Sequence, residues 1–460
     1  MKKIFTLLLA LWMLTGCVAM AAENQLVVGS TTAMSGAFFT DLFGSNTADM
    51  DVRALLHGYN LMSWDNETGT YQINDSVVAG MAVSRDAQNN RVYTFDLYGD
   101  LKFSDGSAIT AKDYAFSILL TASPELAKLG GQSAAVGAIL GMDAYQSGKS
   151  SVLRGVRLLS DTQMSITISK AYEPYFYEMA LFDYSPYPIS VLAPGCKVVD
   201  TEKGVGIVNA DGTGDAIFTA DLLQKTILDA ATGYMSHPSV VSGPYTLTRY
   251  DAQSGTASFA INPYYKGNEE GEKPTIETIV YRTVANDEAI DLLLSGEVDL
   301  FNKMVAADTV SKWIQSTADQ PFSVANYPRS GLSMISFSCE RQTVSGKAVR
   351  QAIASCFDRD TLVKAYTGNF GLNANGYFGI GQWMYQLAVD MRKTEPGDVL
   401  SYCQKWVAFQ ERWTEVLPAI PVYSNVYFDF YTTRLQNYRV TENQTWTQAI
   451  VGATLTQTAE

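Results

Sequence analysis

Short apolar segments, continuous or alternating, recur along the chain and are cut by clusters of Gly, Pro, Asn, Asp and Ser. Residues 26–29 (LVVG) form a continuous apolar run, which predicts a short buried strand. The Gly/Ser/Thr-rich stretch from there through Ser45 predicts a loop. Alternation predicts half-buried strands at 92–97 (VYTFDL) and 163–169 (QMSITIS). Residues 245–250 and 257–261 flank Ser254-Gly255 and predict a hairpin. Further strands are expected at 276–282, from Val298, at 332–338 as a buried strand, and at 419–423, where Pro421 marks an edge or a bulge. Helical patterning appears at 52–59, from Ala111 behind a Thr110 cap with Asp113 in the first turn, and at 286–294 up to Gly296. It recurs as one long amphipathic helix over 347–366, ended at Gly368, and again at 398–413. Segment 193–214 is rich in Gly, Asp and Val without clear period and is expected to be an exposed loop. Helices and strands are mixed throughout, so the class is α/β or α+β, without internal repeats.

The N-terminus reads as an address. Lys2 and Lys3 precede eleven largely apolar residues, 4–14, too few to span a bilayer and suited to a signal peptide. Leu14-Thr15-Gly16-Cys17 follows and resembles a bacterial lipobox, which makes residues 1–16 a signal peptide and Cys17 the lipidated residue. Loss of Lys2 and Lys3 takes the net charge from −14 to −16. Residues 17–23 then form a lipid-anchored linker, and the body is held to the extracytoplasmic face of the cell membrane by lipid.

Composition narrows the function. At ~150 residues per domain, 460 residues suggest two or three domains. Hydrophobic content of 47% argues against disorder, and the acidic balance argues against nucleic acid as partner. The two histidines, His57 in an apolar helical run and His237 in a loop, offer little for base catalysis or metal binding. No C-x-x-C, H-E-x-x-H, G-x-S-x-G, S-x-x-K or P-loop occurs, and no G-x-G-x-x-G follows a strand. Glu269-Glu270 lies in polar loop sequence and reads as solvated. No catalytic residue, metal site or cofactor is assigned. Outside Cys17, cysteines 196, 339, 356 and 403 allow three disulfide pairings or free thiols.

Several blocks carry a family resemblance. Tyr93 to Leu97, then Lys102-Phe103-Ser104-Asp105-Gly106, then Thr110-Ala111-Lys112-Asp113 come first. Ser242-Gly243-Pro244-Tyr245, Asn262-Pro263-Tyr264-Tyr265-Lys266-Gly267 and Ser295-Gly296-Glu297-Val298-Asp299 follow. Val349-Arg350-Gln351-Ala352-Ile353 with Asp358-Arg359, and Pro418-Ala419-Ile420-Pro421-Val422-Tyr423, complete the set. In this order they resemble the family 5 extracellular solute-binding proteins, the peptide- and nickel-type receptors of ABC importers. Most of the blocks read as scaffold: Gly243 allows close backbone approach, and Arg350, Asp358 and Arg359 are expected to pair along one helix.

The resemblance implies a two-lobed periplasmic-binding-protein-like fold (type II) that closes on ligand about a hinge. The first lobe takes 24–63, 181–326 and 432–460; 64–180 is an insert domain within it, and 327–431 is the second lobe. Cleft candidates are Phe38, Phe39 and Thr40 in the first loop, Tyr245, the hinge residues Arg329 and Ser330, and Phe378, Trp383 and Tyr385 in the second lobe. The implied role is a monomeric lipoprotein that hands peptides, expected to be oligopeptides, to ABC permease subunits. Nickel is disfavoured, because neither histidine sits in a candidate cleft loop. Only 60 positions separate Asp358 from Pro418, so on the order of a hundred residues of the family's second lobe are expected to be absent near Asp390. With them goes the acidic partner of a peptide's α-ammonium, which leaves a structural or signalling lipoprotein with altered binding as the competing reading. A secreted hydrolase is a third reading without a supporting motif.

Overall fold

The computed structural model describes residues 24–65, 70–132, 137–328, 332–368, 370–373 and 390–456. Residues 1–16, expected to be a signal peptide, and Cys17, Arg329, Ser330, Phe378, Trp383 and Tyr385 lie outside the described residues. The strands that build the site are β1 (Gln25–Ser30), β2 (Val78–Arg85), β3 (Arg91–Leu97), β4 (Val156–Leu158), β5 (Gln163–Ile168), β6 (Tyr245–Asp251) and β7 (Thr256–Ile261). After them come β8 (Thr278–Thr283), β9 (Leu300–Met304), β10 (Phe322–Pro328), β11 (Ser333–Ser336), β12 (Gly371–Asn373) and β13 (Ala419–Thr432). The helices that matter are α1 (Thr47–Leu56), α2 (Ala111–Thr121), α3 (Lys347–Ser355), α4 (Arg359–Thr367) and α5 (Val399–Val416).

The large sheet runs β6-β7-β8-β1-β9-β13-β10. β1 lies inside it, parallel to both β8 and β9, and this is why its middle, residues 26–29, is apolar. Leu26 and Val28 are fully buried beside Leu300, Phe38 and Trp446. A second sheet, β2-β3-β5-β4, packs against α2 in a separate core that contains Phe95, Phe116, Ile166 and Phe182.

β13 links two units. Its residues 426–432 pair with β10, and Phe428, Phe430 and Tyr431 also pair with β9. Its residues 419–425 pair instead with β11 and β12. The chain therefore passes from one strand set to the other along β13 and again between β10 and β11. The smaller unit carries α3, α4 and α5 and a modest core of Phe409, Trp413 and Ala419, with Trp406 and Leu417 packed on it.

The blocks around Gly243 stitch the elements together. A Cβ at Gly243 would stand 2.5 Å from Leu55 O, the carbonyl of a residue in α1. Gly243 N donates to Leu56 O at 2.8 Å, and the buried Asn262 amide donates to Gly243 O at 2.9 Å. Ser104, in the turn ended by Gly106, exchanges two hydrogen bonds with Val241.

Four expectations need correction. Segment 193–214 is not a loop throughout: Cys196–Thr201 and Gly204–Asn209 form an antiparallel hairpin. It buries Cys196, Val198, Val205 and Asn209 while Lys197 and Thr201 face out. The helix expected over 347–366 is two helices, because the Asp358 carboxylate accepts from Thr361 N at 3.1 Å and caps α4. β11 is half exposed, with Met334 and Ser336 facing outward. Among the described residues Arg350 makes no helix ion pair: 3% exposed, it donates to the carbonyls of Val344, Ser345, Val416 and Leu417 at 2.7–3.1 Å. It thereby satisfies the C-terminal carbonyls of α5, where a cation is also favoured by the helix dipole. Cys196, Cys339, Cys356 and Cys403 are all free thiols.

Candidate functional site

The loop after β1 is held in shape by one carboxylate. Asp49, at the third position of α1, is fully buried and accepts from Ser35 N at 2.8 Å, Ser35 Oγ at 2.6 Å, Gly36 N at 3.2 Å and Asn46 N at 3.3 Å. Asn46 returns a cap to Asp49 N at 3.0 Å, which joins loop and helix in a capping box. Arg53, one turn on, donates to Ala37 O at 2.7 Å and Ser45 Oγ at 3.0 Å. So braced, the loop turns Phe38 into the first core, edge-on to Tyr250 with centroids 4.6 Å apart. Phe39 enters a cluster with His57, Tyr187 and Tyr234. His57 Nε2 donates to Phe38 O at 3.0 Å, and burial pulls its pKa down to about 4, so the ring is neutral at physiological pH.

Thr40 faces a cavity of about 350 Å³ between this loop and α2, also lined by Asp41, Ser117, Asp183, Tyr184 and Tyr187. Asp183 accepts from Asn60 Nδ2 at 2.7 Å, and its enclosed position raises its pKa. The phenol of Tyr187 is raised to about 12, again by burial first and then by the nearby Asp41 carboxylate.

At the crossing between the units lies a buried polar network. Lys303 adopts a left-handed backbone (φ 56°), which aims its N–H at Asp429 Oδ1 at 2.8 Å. Its ammonium pairs with Asp51 at 2.8 Å. Asp429 also accepts from Tyr438 OH at 2.7 Å and Tyr327 OH at 3.3 Å, and Asp51 accepts from Tyr281 OH at 3.2 Å. Burial lifts Asp429 to about 6 despite these donors. Asn302, next to Lys303, keeps a buried amide nitrogen without a hydrogen-bond partner among the described residues. The network locks α1, β8, β9, β10 and β13 together where the chain crosses.

A third feature joins the smaller unit to the segment around Phe176 and to β3. Phe176 stacks on Tyr402 of α5 with centroids 4.0 Å apart, and Tyr177 OH lies 2.8 Å from Tyr402 OH. Phe176 N donates to Arg392 O at 2.7 Å, and Arg91 of β3 pairs with Glu395 at 2.9 Å.

The structure scatters the residues singled out from sequence. Phe38, Phe39 and Thr40 share the loop, but only Thr40 lines the cavity; the two rings are core. Tyr245 is fully buried in the first core and donates to Ile276 O at 3.1 Å, away from the cavity. The polar network was missed, although an aspartate inside the apolar run of β13 (Tyr427-Phe428-Asp429-Phe430-Tyr431) is a readable sign of a buried partner. Among the described residues, no group of three or more His, Cys, Asp or Glu is placed to hold a metal ion, and no helix is long and apolar enough to cross a membrane.

Comparison with known proteins adds to this geometry. Residues 76–396 match the family model for bacterial extracellular solute-binding proteins, family 5. The periplasmic oligopeptide-binding protein OppA of Escherichia coli K12 is 23% identical over 307 residues, which cover 65% of this chain and 48% of that protein. A dipeptide-binding protein of Lactococcus lactis subsp. cremoris MG1363 is 24% identical over 336 residues, covering 70% of this chain and 54% of its own length. The chain thus spans about half the length of these relatives. The solved structure of the oligopeptide-binding protein AppA of Bacillus subtilis, in complex with a nonapeptide, superposes with a TM-score of 0.64 at 14% identity, over 94% of this chain and 99% of that one. At that identity the likeness shows the fold, the two-lobed periplasmic-binding architecture.

Proposed function

Because the chain belongs to family 5 of the bacterial extracellular solute-binding proteins, whose members are transport receptors and not enzymes, we propose that it captures peptides between its two lobes outside the cytoplasmic membrane and delivers them to an ABC importer. The observation that carries this reading is the family match, which runs from the insert into the smaller unit. The peptide-binding names of the two relatives favour a ligand-binding role over a scaffold that has lost its ligand.

The geometry suits this work. β13 carries the chain across between its pairings with β10 and β12, so bending near Asn425 moves one unit against the other while the Asp429 network stays intact. On the first-lobe side, the Asp49-braced loop holds its backbone ready without ordering at the moment of binding. Thr40 is the ligand-facing residue we retain from that loop; Arg329, Ser330, Phe378, Trp383 and Tyr385 are proposed from the family resemblance. The lipobox supports an anchor through Cys17.

We also propose that the second lobe is abbreviated near Asp390. The uncovered apolar side chains of the smaller unit support this: Leu372 is 79% exposed, Leu400 72%, Tyr366 65% and Val407 54%. A ligand-dependent thermal shift tests the receptor reading. Peptides of three to about nine residues should raise the melting temperature in proportion to affinity, because they bind only the folded state. A panel of defined peptides that leaves the melting temperature unchanged at millimolar concentration contradicts it.

A further inference from the structure

Direct contacts between the smaller unit and the insert occur away from the crossing strands, and each side of them is braced within its own unit. On the insert side, Arg91 is fixed by Glu178, which is fully buried and accepts from Arg91 Nη1 at 2.9 Å and Tyr93 OH at 2.8 Å. Glu173 accepts from Arg91 N at 3.1 Å. Phe176 and Tyr177 follow within the same short segment and meet edge to face, with centroids 5.0 Å apart. On the other side, Lys405 of α5 donates to Lys393 O at 2.9 Å and Thr394 Oγ1 at 3.0 Å, and Asp398 caps α5 through Ser401 N at 3.1 Å. Arg392, Glu395 and Tyr402 therefore move as one piece. None of the insert's partners pairs with β10 or β13, so this is a second point of attachment between the units, separate from the crossing.

We propose that Tyr402, stacked on Phe176 and hydrogen-bonded to Tyr177, together with Glu395 on Arg91, forms a latch that sets how much of the time the two lobes are closed, with or without ligand. This rests on the two-lobed receptor reading and adds to it a control of ligand residence. A contact made only in the closed form shifts the open–closed equilibrium by its own free energy and slows ligand release by the same factor. The two arms differ in strength. Glu395 is 59% exposed, so its ion pair is screened by water and salt and contributes little. The aromatic arm pairs Tyr402 with two rings, and Phe176 is buried in the contact. It carries most of the effect, about a tenfold shift in the open-to-closed ratio.

The test is small-angle X-ray scattering of the ligand-free full-length protein without its signal peptide, with Tyr402→Ala, Tyr402→Phe and Glu395→Gln alongside. Tyr402→Ala should raise the radius of gyration by depleting the compact form. Tyr402→Phe keeps the ring stack but loses the Tyr177 bond and should fall between. Glu395→Gln should change the curve slightly at low salt and not at all at high salt. Because these measurements need no ligand, they stand whether or not peptides bind. Identical scattering of wild type, Tyr402→Ala and Tyr402→Phe overturns the latch. Should Tyr402→Ala fail to fold by circular dichroism, Tyr402→Phe decides: a shift toward the open form supports the latch, and an unchanged curve overturns it.

Discussion

Replacing Arg350 by Met tests whether the smaller unit is held together by one buried cation. The guanidinium reaches four carbonyls on two segments: Val344 and Ser345 ahead of α3, and Val416 and Leu417 at the end of α5. Met fills a similar stem but donates nothing, and each buried acceptor left without a partner costs roughly 1–3 kcal/mol. Some of these carbonyls recover water when the ends of α5 loosen, so we expect a total of about 3–5 kcal/mol and not the full sum. The opposing apolar core is small: Phe409, Trp413 and Ala419, where each large side chain contributes roughly 1.5–3 kcal/mol. The loss is therefore comparable to what holds the unit. Amide hydrogen exchange followed by mass spectrometry should show α3 and α5 losing protection in Arg350→Met, with β3 and β5 of the second sheet unchanged. Arg350→Lys should be intermediate, because one ammonium cannot reach both segments as the planar fork does. Unchanged protection in α3 and α5, or an equal loss across both units, would refute the assignment.

Other expected outcomes follow from single groups. The Asp429 carboxyl has its pKa raised to about 6 by burial, against roughly 3.9 in an unfolded chain. Its contribution to stability is thus fully present below the unfolded value and lost as pH rises through about 6, so urea unfolding from pH 4.5 to 7 should show a decline that Asp429→Asn flattens. Asp113, raised to about 6 mainly by burial, acts with the same sign, and the double variant should flatten the profile further. Gly243→Ala would put a Cβ 2.5 Å from Leu55 O and force α1 from the start of β6; a cost of about 1–3 kcal/mol should appear as a lowered melting temperature. Cys17→Ser should release the protein from the membrane fraction or leave the precursor uncut; a variant of normal size that stays membrane-bound would contradict the lipid anchor.

Much of the scaffold was legible because local patterning and tertiary environment agree. β1 is apolar on both faces and lies inside the sheet; β3 alternates in burial as in sequence, whereas β5, expected half-buried, is buried from Met164 to Ile168; Thr110 and Asp113 mark the start of α2 where the structure has it. Failures occurred where a side chain chose backbone groups over a charged neighbour. Asp358 looked like a helix-surface charge and instead caps α4, and Arg350 looked like its ion-pair partner and instead reaches α5 some 66 positions away. The hairpin in 193–214 was hidden because Gly204 and Gly206 take buried positions while Val208 is exposed, which breaks the alternation. Of the site, the loop after β1 was visible as Gly/Ser/Thr-rich sequence, but its inward and outward faces were not. Phe38 and Tyr245 look as much like ligand contacts as core until their neighbours Tyr250 and Ile276 are placed. The contact of Tyr402 with Phe176 joins elements more than 200 positions apart, and no local pattern announces it.

Peptide capture between the lobes is tested most directly by native mass spectrometry of the protein purified from its own cells under non-denaturing conditions. The receptor reading predicts additional mass on the folded protein, in discrete steps of peptide size, which leaves on collisional activation and is identified as peptide by fragmentation. A single unliganded mass, together with no mass gained after incubation with a mixed peptide digest, would contradict it.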